Sequence, residues 1–363
     1  MSKIFTCEQV SRGHVDKICD QVADAIVTDC LQHDKNSRVA VECLMKDNNL
    51  VIAGEITSKH DPDYAAIVRR VFRRIGIEES YDTFNIRSYT TKQSPDISQG
   101  VDIGGAGDQG VMYGYATNET PEMLPIPFAV ATYFLKFLEN VGTQFLLPDA
   151  KVQVSFDYDT GCITTFLCSV QHTKDATAEE IRAVIEPLME LSAAAYGLNT
   201  DFEKLINPTG RFVIGGSQAD TGVTGRKLAC DTYGGIGHIG GGALSGKDPS
   251  KVDRSGAYMA RKIARDLVLA GYCDRCEVQI AYAIGKAEPV SFYVDDFGTG
   301  HVRPDCYHKY IQSNYDLTPQ GIIKYLHLLD VDYNKVSWGG HFGKEDLPWE
   351  MDDEEVEAVY GEQ

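Results

Sequence analysis

The stretch RVAVECLMKDNNLVIAGEIT, residues 38–57, alternates apolar and polar positions on both sides of Asp47-Asn48-Asn49. That pattern predicts a β-hairpin turning at those three residues. In its first strand Val39, Val41 and Cys43 face one way, Ala40, Glu42 and Leu44 the other. KVQVSFDYDTGCITTFLCSV (151–170) reads the same way, turning at Asp159-Thr160-Gly161, with Lys151, Gln153 and Ser155 opposed to Val152, Val154 and Phe156. A third hairpin is expected in CEVQIAYAIGKAEPVSFYVDD (276–296), turning near Gly285. Each is preceded by a helical pattern: HVDKICDQVADAIVTDCL, PFAVATYFLKFLENVG and SGAYMARKIARDLVLAG. Each is followed by another: DYAAIVRRVFRRIG, ATAEEIRAVIEPLMELSAAA and TPQGIIKYLHLL. Helix, hairpin, helix thus recurs three times, with hairpins more than 100 residues apart. That spacing is too long for a solenoid and suits three similar α+β units. Helices on one face of each sheet leave a second face carrying single charges, either solvated or paired with another subunit around a polar site.

The 363 residues leave room for two or three domains. Hydrophobic residues at 43% and charged residues at 24% fit a soluble globular chain rather than a disordered one. No apolar run reaches membrane-spanning length. The opening MSKIFTCEQVSRGHVDK lacks the apolar core of a secretory signal, so a cytoplasmic location is expected. The ten scattered cysteines, with one CxxC at Cys273 and Cys276, read as reduced thiols. A net charge of −19 argues against a general nucleic-acid binder. Positive charge gathers instead at Arg226-Lys227, Lys247, Lys251 and Arg254, which suits a small, highly charged anion.

Two stretches, 90–120 and 207–248, resist assignment to helix or strand, and the second holds twelve glycines. Long irregular loops in a compact protein tend to be functional. The second loop runs into GGALSGKDPSKVDRS (241–255), which fills seven places of the phosphate-cradling G-x-x-x-x-G-K-[ST] loop and then puts Asp248 where a hydroxyl belongs. Glycines and a following helix N-terminus still favour an anion. Asp248 would repel phosphate unless it turns outward or caps the helix. If the helix begins early, Lys247 and Lys251 share a face. Asp253 is either a Mg²⁺ ligand beside phosphate or a first-turn acid stabilised by the helix dipole.

The N-terminal SRGHVDKICDQVADAIVTDCL places Asp16, Asp20 and Asp24 on one helix face, opposite Ile18, Val22 and Ile26. Most of that acidic face is expected to be solvated. His14 and Asp16 stand at the helix entrance, where an anion would meet amides, an imidazole and, through Asp16, a metal; a structural histidine fits equally well. In GAGDQG (105–110) glycines flank Asp108, either exposing a carboxylate to a cationic group or making an ordinary turn.

Taken together, GAGDQGVMYGYATNET and GGGALSGKDPSKVDRS closely resemble the two signatures of the S-adenosylmethionine synthetase (methionine adenosyltransferase) family. GHVDKICDQ, KQSPDISQGVD, INPTGRFVIGG, TGRK, AYAIGKAEP and GHFG appear around them in family order. The resemblance spans nearly the whole chain. It implies an α+β fold of three pseudo-threefold-related domains, each a mixed sheet with helices on one face, with sheet faces pairing across a dimer. It further implies discontinuous domains: approximately 1–12 plus 120–215, 13–100 plus 216–255, and 101–119 plus 256–363. Active sites would be shared between subunits, with dimers pairing into tetramers. The implied reaction takes ATP, L-methionine and water to S-adenosylmethionine, phosphate and diphosphate, with methionine sulfur attacking C5′ and the whole tripolyphosphate leaving.

By the same resemblance Lys151, Arg226, Lys227 and Lys247 hold phosphates, Lys251 lies near phosphate and methionine, and His14 hydrogen-bonds where the C–O bond breaks. Asp16 and Asp253 bind two Mg²⁺, and Glu42 one K⁺. Glu55 and Asp108 take the methionine amine and Gln93 its carboxylate. Asp149 and Asp220 contact nucleoside and substrates, Phe212 stacks on adenine beside Arg211, and Ala243 and Ile284 lie nearby. Gln93 to Gly104 would be a gate over the site. Three positions depart from the family pattern: Val15 replaces a usual proline, GVDIGGAGDQG is shorter than in common bacterial forms, and Ile239 stands where a histidine is frequent, next to His238.

Overall fold

The computed structural model describes residues 3–77, 82–93 and 104–361. Eleven strands among these residues form three sheets. The first contains β1 (Ile4–Val10), β6 (Leu146–Asp157), β7 (Cys162–His172) and β8 (Glu203–Ile206), in the order β1-β6-β7-β8. The second runs β4-β3-β2-β9, from β2 (Arg38–Lys46), β3 (Asn49–Thr57), β4 (Asn85–Thr91) and β9 (Gly222–Val223). The third runs β11-β10-β5, from β5 (Gly110–Thr117), β10 (Arg275–Tyr282) and β11 (Ser291–Asp295).

All three predicted hairpins form. β2 and β3 turn through Asp47, at φ 50°, β6 and β7 through Gly161, and β10 and β11 through a loop containing Gly285. In every sheet a distant strand pairs antiparallel with the first hairpin strand: β1 with β6, β9 with β2, β5 with β10. In the first two sheets the chain leaves the hairpin through a helix and returns as a parallel strand, β8 or β4. The first two sheets are therefore mixed, as expected, and repeat one topology; the third, β11-β10-β5, is wholly antiparallel among the described residues, because no strand after β11 returns to it.

Alternation decides which face each strand buries. Val39, Val41, Cys43 and Met45 are sealed in the core, while Glu42 and Leu44 are exposed. Val152, Val154 and Phe156 are likewise buried in β6. Helices α1 (Val15–His33) and α2 (Tyr64–Ile75) cover the second sheet's buried face; α3 (Ile126–Leu138) and α4 (Ala178–Ala194) cover the first. Helix α5 (Val252–Leu269) lies across β5 and β10, followed later by α6 (Pro304–Asn314), α7 (Pro319–Tyr325) and α8 (Asp353–Tyr360). The core under the first sheet is separate from the larger one joining the other two.

β5 falls inside the stretch the sequence left unassigned. Its inward positions are Met112, Gly114 and Ala116, and the last two are too small to extend an apolar stripe. The reason is close approach: a Cβ at Gly114 would collide with the Ala260 backbone of α5. β4 escaped notice for another reason. It is a polar edge strand with little buried surface, so no alternation marks it. None of the helices among the described residues is long and apolar enough to cross a membrane.

Candidate active site

His14 caps α1, its Nδ1 accepting the Asp16 N–H at 3.2 Å. A neutral imidazole that accepts at Nδ1 carries its proton on Nε2, so the free edge of the ring is a donor. Burial, and then the Lys227 ammonium, hold the imidazole down at about 4, against the pull of Asp16. The ring is therefore neutral at physiological pH. In an NMR titration, the His14 Cε1–H signal, assigned by its loss in His14→Asn, should stay flat between about pH 5.5 and 8. An inflection near the ordinary histidine value would refute the buried neutral ring. Val15 occupies the first helical position, directly after the capping His14.

The acidic face of α1 is not solvated: Asp16, Asp20 and Asp24 are all sealed from solvent. Each accepts a backbone N–H from a distant loop: Asp16 from Val223 at 2.9 Å, Asp20 from Gly225 at 2.8 Å, Asp24 from Gly246 at 2.9 Å. Each also has a cation. Lys227 Nζ donates to Asp16 Oδ2 at 2.6 Å, Lys17 reaches Asp20 at 2.9 Å and pairs with Asp231, and Arg254 pairs with Asp24. A buried carboxylate is tolerable when amides and a cation replace its water. Burial nevertheless pushes the Asp20 and Asp231 carboxyls up, although Lys17 sits between them. The four-residue spacing was the visible signal. It does not distinguish a wet face from one covered by loops some 200 residues away.

The glycine loop lies along β2. Val41 N–H donates to the Gly246 carbonyl at 2.9 Å and Asp248 N–H to the Val39 carbonyl at 2.9 Å. Gly246 adopts φ 82°, and a Cβ there would run into the Val41 carbonyl, so glycine is required twice over. Asp248 neither turns outward nor caps the helix. It is buried, accepting from Val39 N–H at 2.7 Å, Ser250 N–H at 2.9 Å and Lys251 Nζ at 2.5 Å. Tied this way, its charge is spent on the loop and on Lys251. Helix α5 starts only at Val252, so Lys247 precedes it and shares no helix face with Lys251. Lys247 Nζ instead pairs with Asp253, whose other oxygen accepts the Gly242 N–H at 3.0 Å.

Gly225 joins the two clusters, because a Cβ there would strike the Ala243 side chain. Two lysine–aspartate pairs, Lys227–Asp16 and Lys247–Asp253, thus flank one contact. Arg226, half exposed, donates to the Thr221 carbonyl at 3.0 Å with its Nε 3.8 Å from Asp16. Lys151 Nζ lies 2.7 Å from Glu8, and its charge acts on His14. Asp149 Oδ2 accepts the Gly216 N–H at 2.8 Å; burial pushes its carboxyl up to about 6, helped by Asp220. Asp220 accepts the Thr221 N–H at 2.7 Å.

The remaining candidates stand farther out. Glu42 and Glu55 are exposed on β2 and β3, with Ala40 paired to Glu55 on one side and bridged to Lys247 on the other. Gln93 donates its N–H to Thr57 Oγ1 at 3.0 Å, close to Glu55 in sequence register. Asp108 is exposed in a turn next to Gly110, whose Cβ would sit 3.7 Å from Asp253 Oδ1. Phe212 is half-buried and exchanges hydrogen bonds with His172; Arg211 beside it and Ile284 are exposed. No hydrogen bond or ion pair among the described residues links Glu42, Glu55, Gln93, Arg211, Phe212 or Ile284 to the lysine–aspartate pairs. The gate expected from Gln93 to Gly104 lies, between those two residues, outside the described residues. His238, next to Ile239, is held by Glu277 at 2.6 Å and stacks on Tyr113.

Three family profiles match in succession: S-adenosylmethionine synthetase N-terminal domain over residues 2–95, central domain over 103–212 and C-terminal domain over 214–351. Among curated proteins, the S-adenosylmethionine synthase of Mesoplasma florum is 46% identical, covering 97% of this chain and 98% of its own. That of Mycoplasma capricolum is 45% identical over 99% of this chain and 97% of its own. The Sulfurovum enzyme of the same name is 45% identical over 99% and 98%.

Proposed function

Since the chain belongs to the S-adenosylmethionine synthetase family, we propose that it transfers the adenosyl group of ATP to methionine at the lysine–aspartate clusters around Gly225 and Ala243. The activity is methionine adenosyl transfer: ATP, L-methionine and water give S-adenosylmethionine, phosphate and diphosphate. The observation that supports this placement is the pair of carboxylate–ammonium contacts, each carboxylate oriented by a backbone N–H.

Tripolyphosphate is a poor leaving group until its growing charge is neutralised, and preorganised cations supply the largest catalytic contribution. Lys227 and Lys247 are already positioned, each with a carboxylate that an arriving phosphate would displace. Arg226 and Lys151 line the approach, and Lys251 is fixed by Asp248. His14 Nε2–H would offer a neutral donor at the breaking C–O bond. Asp16 and Asp253 suit Mg²⁺: hard oxygen donors, one carboxylate per ion, with phosphate oxygens to complete each shell. Bound there, Mg²⁺ would supply further positive charge against the leaving polyphosphate. Glu42 would offer an oxygen to K⁺. Asp149, Asp220, Arg211, Phe212, Ala243 and Ile284 would hold the nucleoside, and Glu55, Asp108, Gln93 and Lys251 the methionine.

Among the described residues Glu42, Glu55, Gln93, Arg211, Phe212 and Ile284 have no hydrogen bond or ion pair to the lysine–aspartate pairs, which supports a homodimer with shared sites, doubled into a tetramer. The exposed Leu44 and Tyr89 on the open face of the second sheet fit that arrangement. The proposed domains are the discontinuous ones set out above, a division supported by the pairing of β1 with β6, β9 with β2 and β5 with β10. A cytoplasmic location completes the proposal.

Product analysis tests it. With ATP, Mg²⁺ and K⁺, phosphate and diphosphate should appear together, and only when methionine is added. ADP as product would identify a phosphoryl-transfer enzyme instead and overturn the assignment.

A further inference from the structure

Two imidazoles and a carboxylate meet on the outer end of α1, away from the site above. Asp29 and His33 are one helical turn apart, and His60 reaches them from the loop after β3. His60 Nε2 lies 2.7 Å from Asp29 Oδ2. The His33 ring stacks on His60 with centroids 3.9 Å apart and planes within 10°. His33 Nδ1 lies 2.8 Å from the Asp29 backbone carbonyl. One ligand atom from each residue falls within 4.8 Å of the other two, and no other group of three such side chains is found among the described residues. Asp29 is thirteen residues beyond Asp16, about 20 Å along the helix axis.

The hydrogen bond to a carbonyl puts the His33 proton on Nδ1, leaving the Nε2 lone pair free, as in metal-binding histidines whose second nitrogen is anchored to the backbone. His60 Nε2 faces a carboxylate oxygen across a single proton, the position a cation would take. The second Asp29 oxygen is 3.4 Å from the Arg70 guanidinium, which would remain as an outer partner. We propose that Asp29, His33 and His60 form a surface site for a borderline divalent ion of the zinc, cobalt and nickel class, with water completing the shell. Imidazole nitrogens select such ions over Mg²⁺, which demands oxygen. Binding requires the two rings to tilt from parallel so that their lone pairs converge, and to close to the roughly 3.3 Å ligand spacing of a tetrahedral site. His33 is exposed and has room to do so. The ion would pin the end of α1 to the loop leaving β3, and so raise the melting temperature.

The test is calorimetric titration of the full chain with Zn²⁺ in excess Mg²⁺, which occupies the carboxylate sites. One Zn²⁺ per chain is expected to bind. His33→Ala and His60→Ala should each weaken it by about tenfold or more, while His301→Ala, which removes another exposed imidazole beside a carboxylate, should leave it unchanged. Co²⁺ in place of Zn²⁺ should give visible absorption that the His33→Ala/His60→Ala double variant loses. Circular dichroism and synthase activity of that double variant should match the unaltered chain, so loss of metal is not loss of fold. No Zn²⁺ bound by the unaltered chain, or equal stoichiometry and affinity in the double variant, overturns the proposal.

Discussion

Lys247→Ala should lower kcat by about a hundred- to a thousandfold, the effect of deleting one preorganised charge at a developing anion, while the protein stays folded. The fold should tolerate the change because the loop is not held by this side chain. Its backbone is fixed by Val41 N–H on the Gly246 carbonyl and by Asp248 on Val39. The ion pair lost with Lys247 is partly exposed on both sides, at 20% and 19%, and so contributes at most about 1 kcal/mol. Steady-state kinetics should show most of the loss in kcat, since the charge that Lys247 meets grows as the C–O bond breaks. Lys247→Arg keeps the charge and should recover part of the rate. Near-normal turnover in Lys247→Ala would sink the proposed role.

Arg254→Ala should instead unfold or severely destabilise the chain, by about 3–5 kcal/mol, because it strands the Asp24 carboxylate in the core. Arg254 is wholly buried: it pairs with Asp24, donates from Nε to the Leu244 carbonyl at 2.5 Å and lies 4.4 Å over the Tyr333 ring. Asp24 in turn holds the Gly246 N–H. Removing Arg254 therefore also slackens the loop that aims Lys247. Replacing both members, Asp24→Asn with Arg254→Met, removes the unpaired charge and should recover part of the stability. Guanidinium unfolding of the two single variants and the double variant would measure the coupling. Additive losses would show that the two side chains do not act as a pair.

Much of this protein was readable along the chain. The hairpins at 38–57, 151–170 and 276–296 declared themselves because a strand with one buried face must alternate, whatever it packs against. The flanking helices were equally legible, and the glycines of 241–255 marked an irregular loop of close backbone approach because backbone freedom is a local property. Matters that depend on residues distant in sequence were not legible. Asp20 and Asp24 read as wet, Asp248 as turned outward or capping the helix, and β5 as loop. Each was decided by a segment more than 100 residues away: the Gly225 and Gly246 amides, the Val39 strand, and the Ala260 backbone of α5. Sequence spacing specifies which side chains share a face. Only the tertiary structure decides what covers that face, because the free energy of a buried carboxylate is set by the donors that replace its water, and the fold brings those donors from elsewhere.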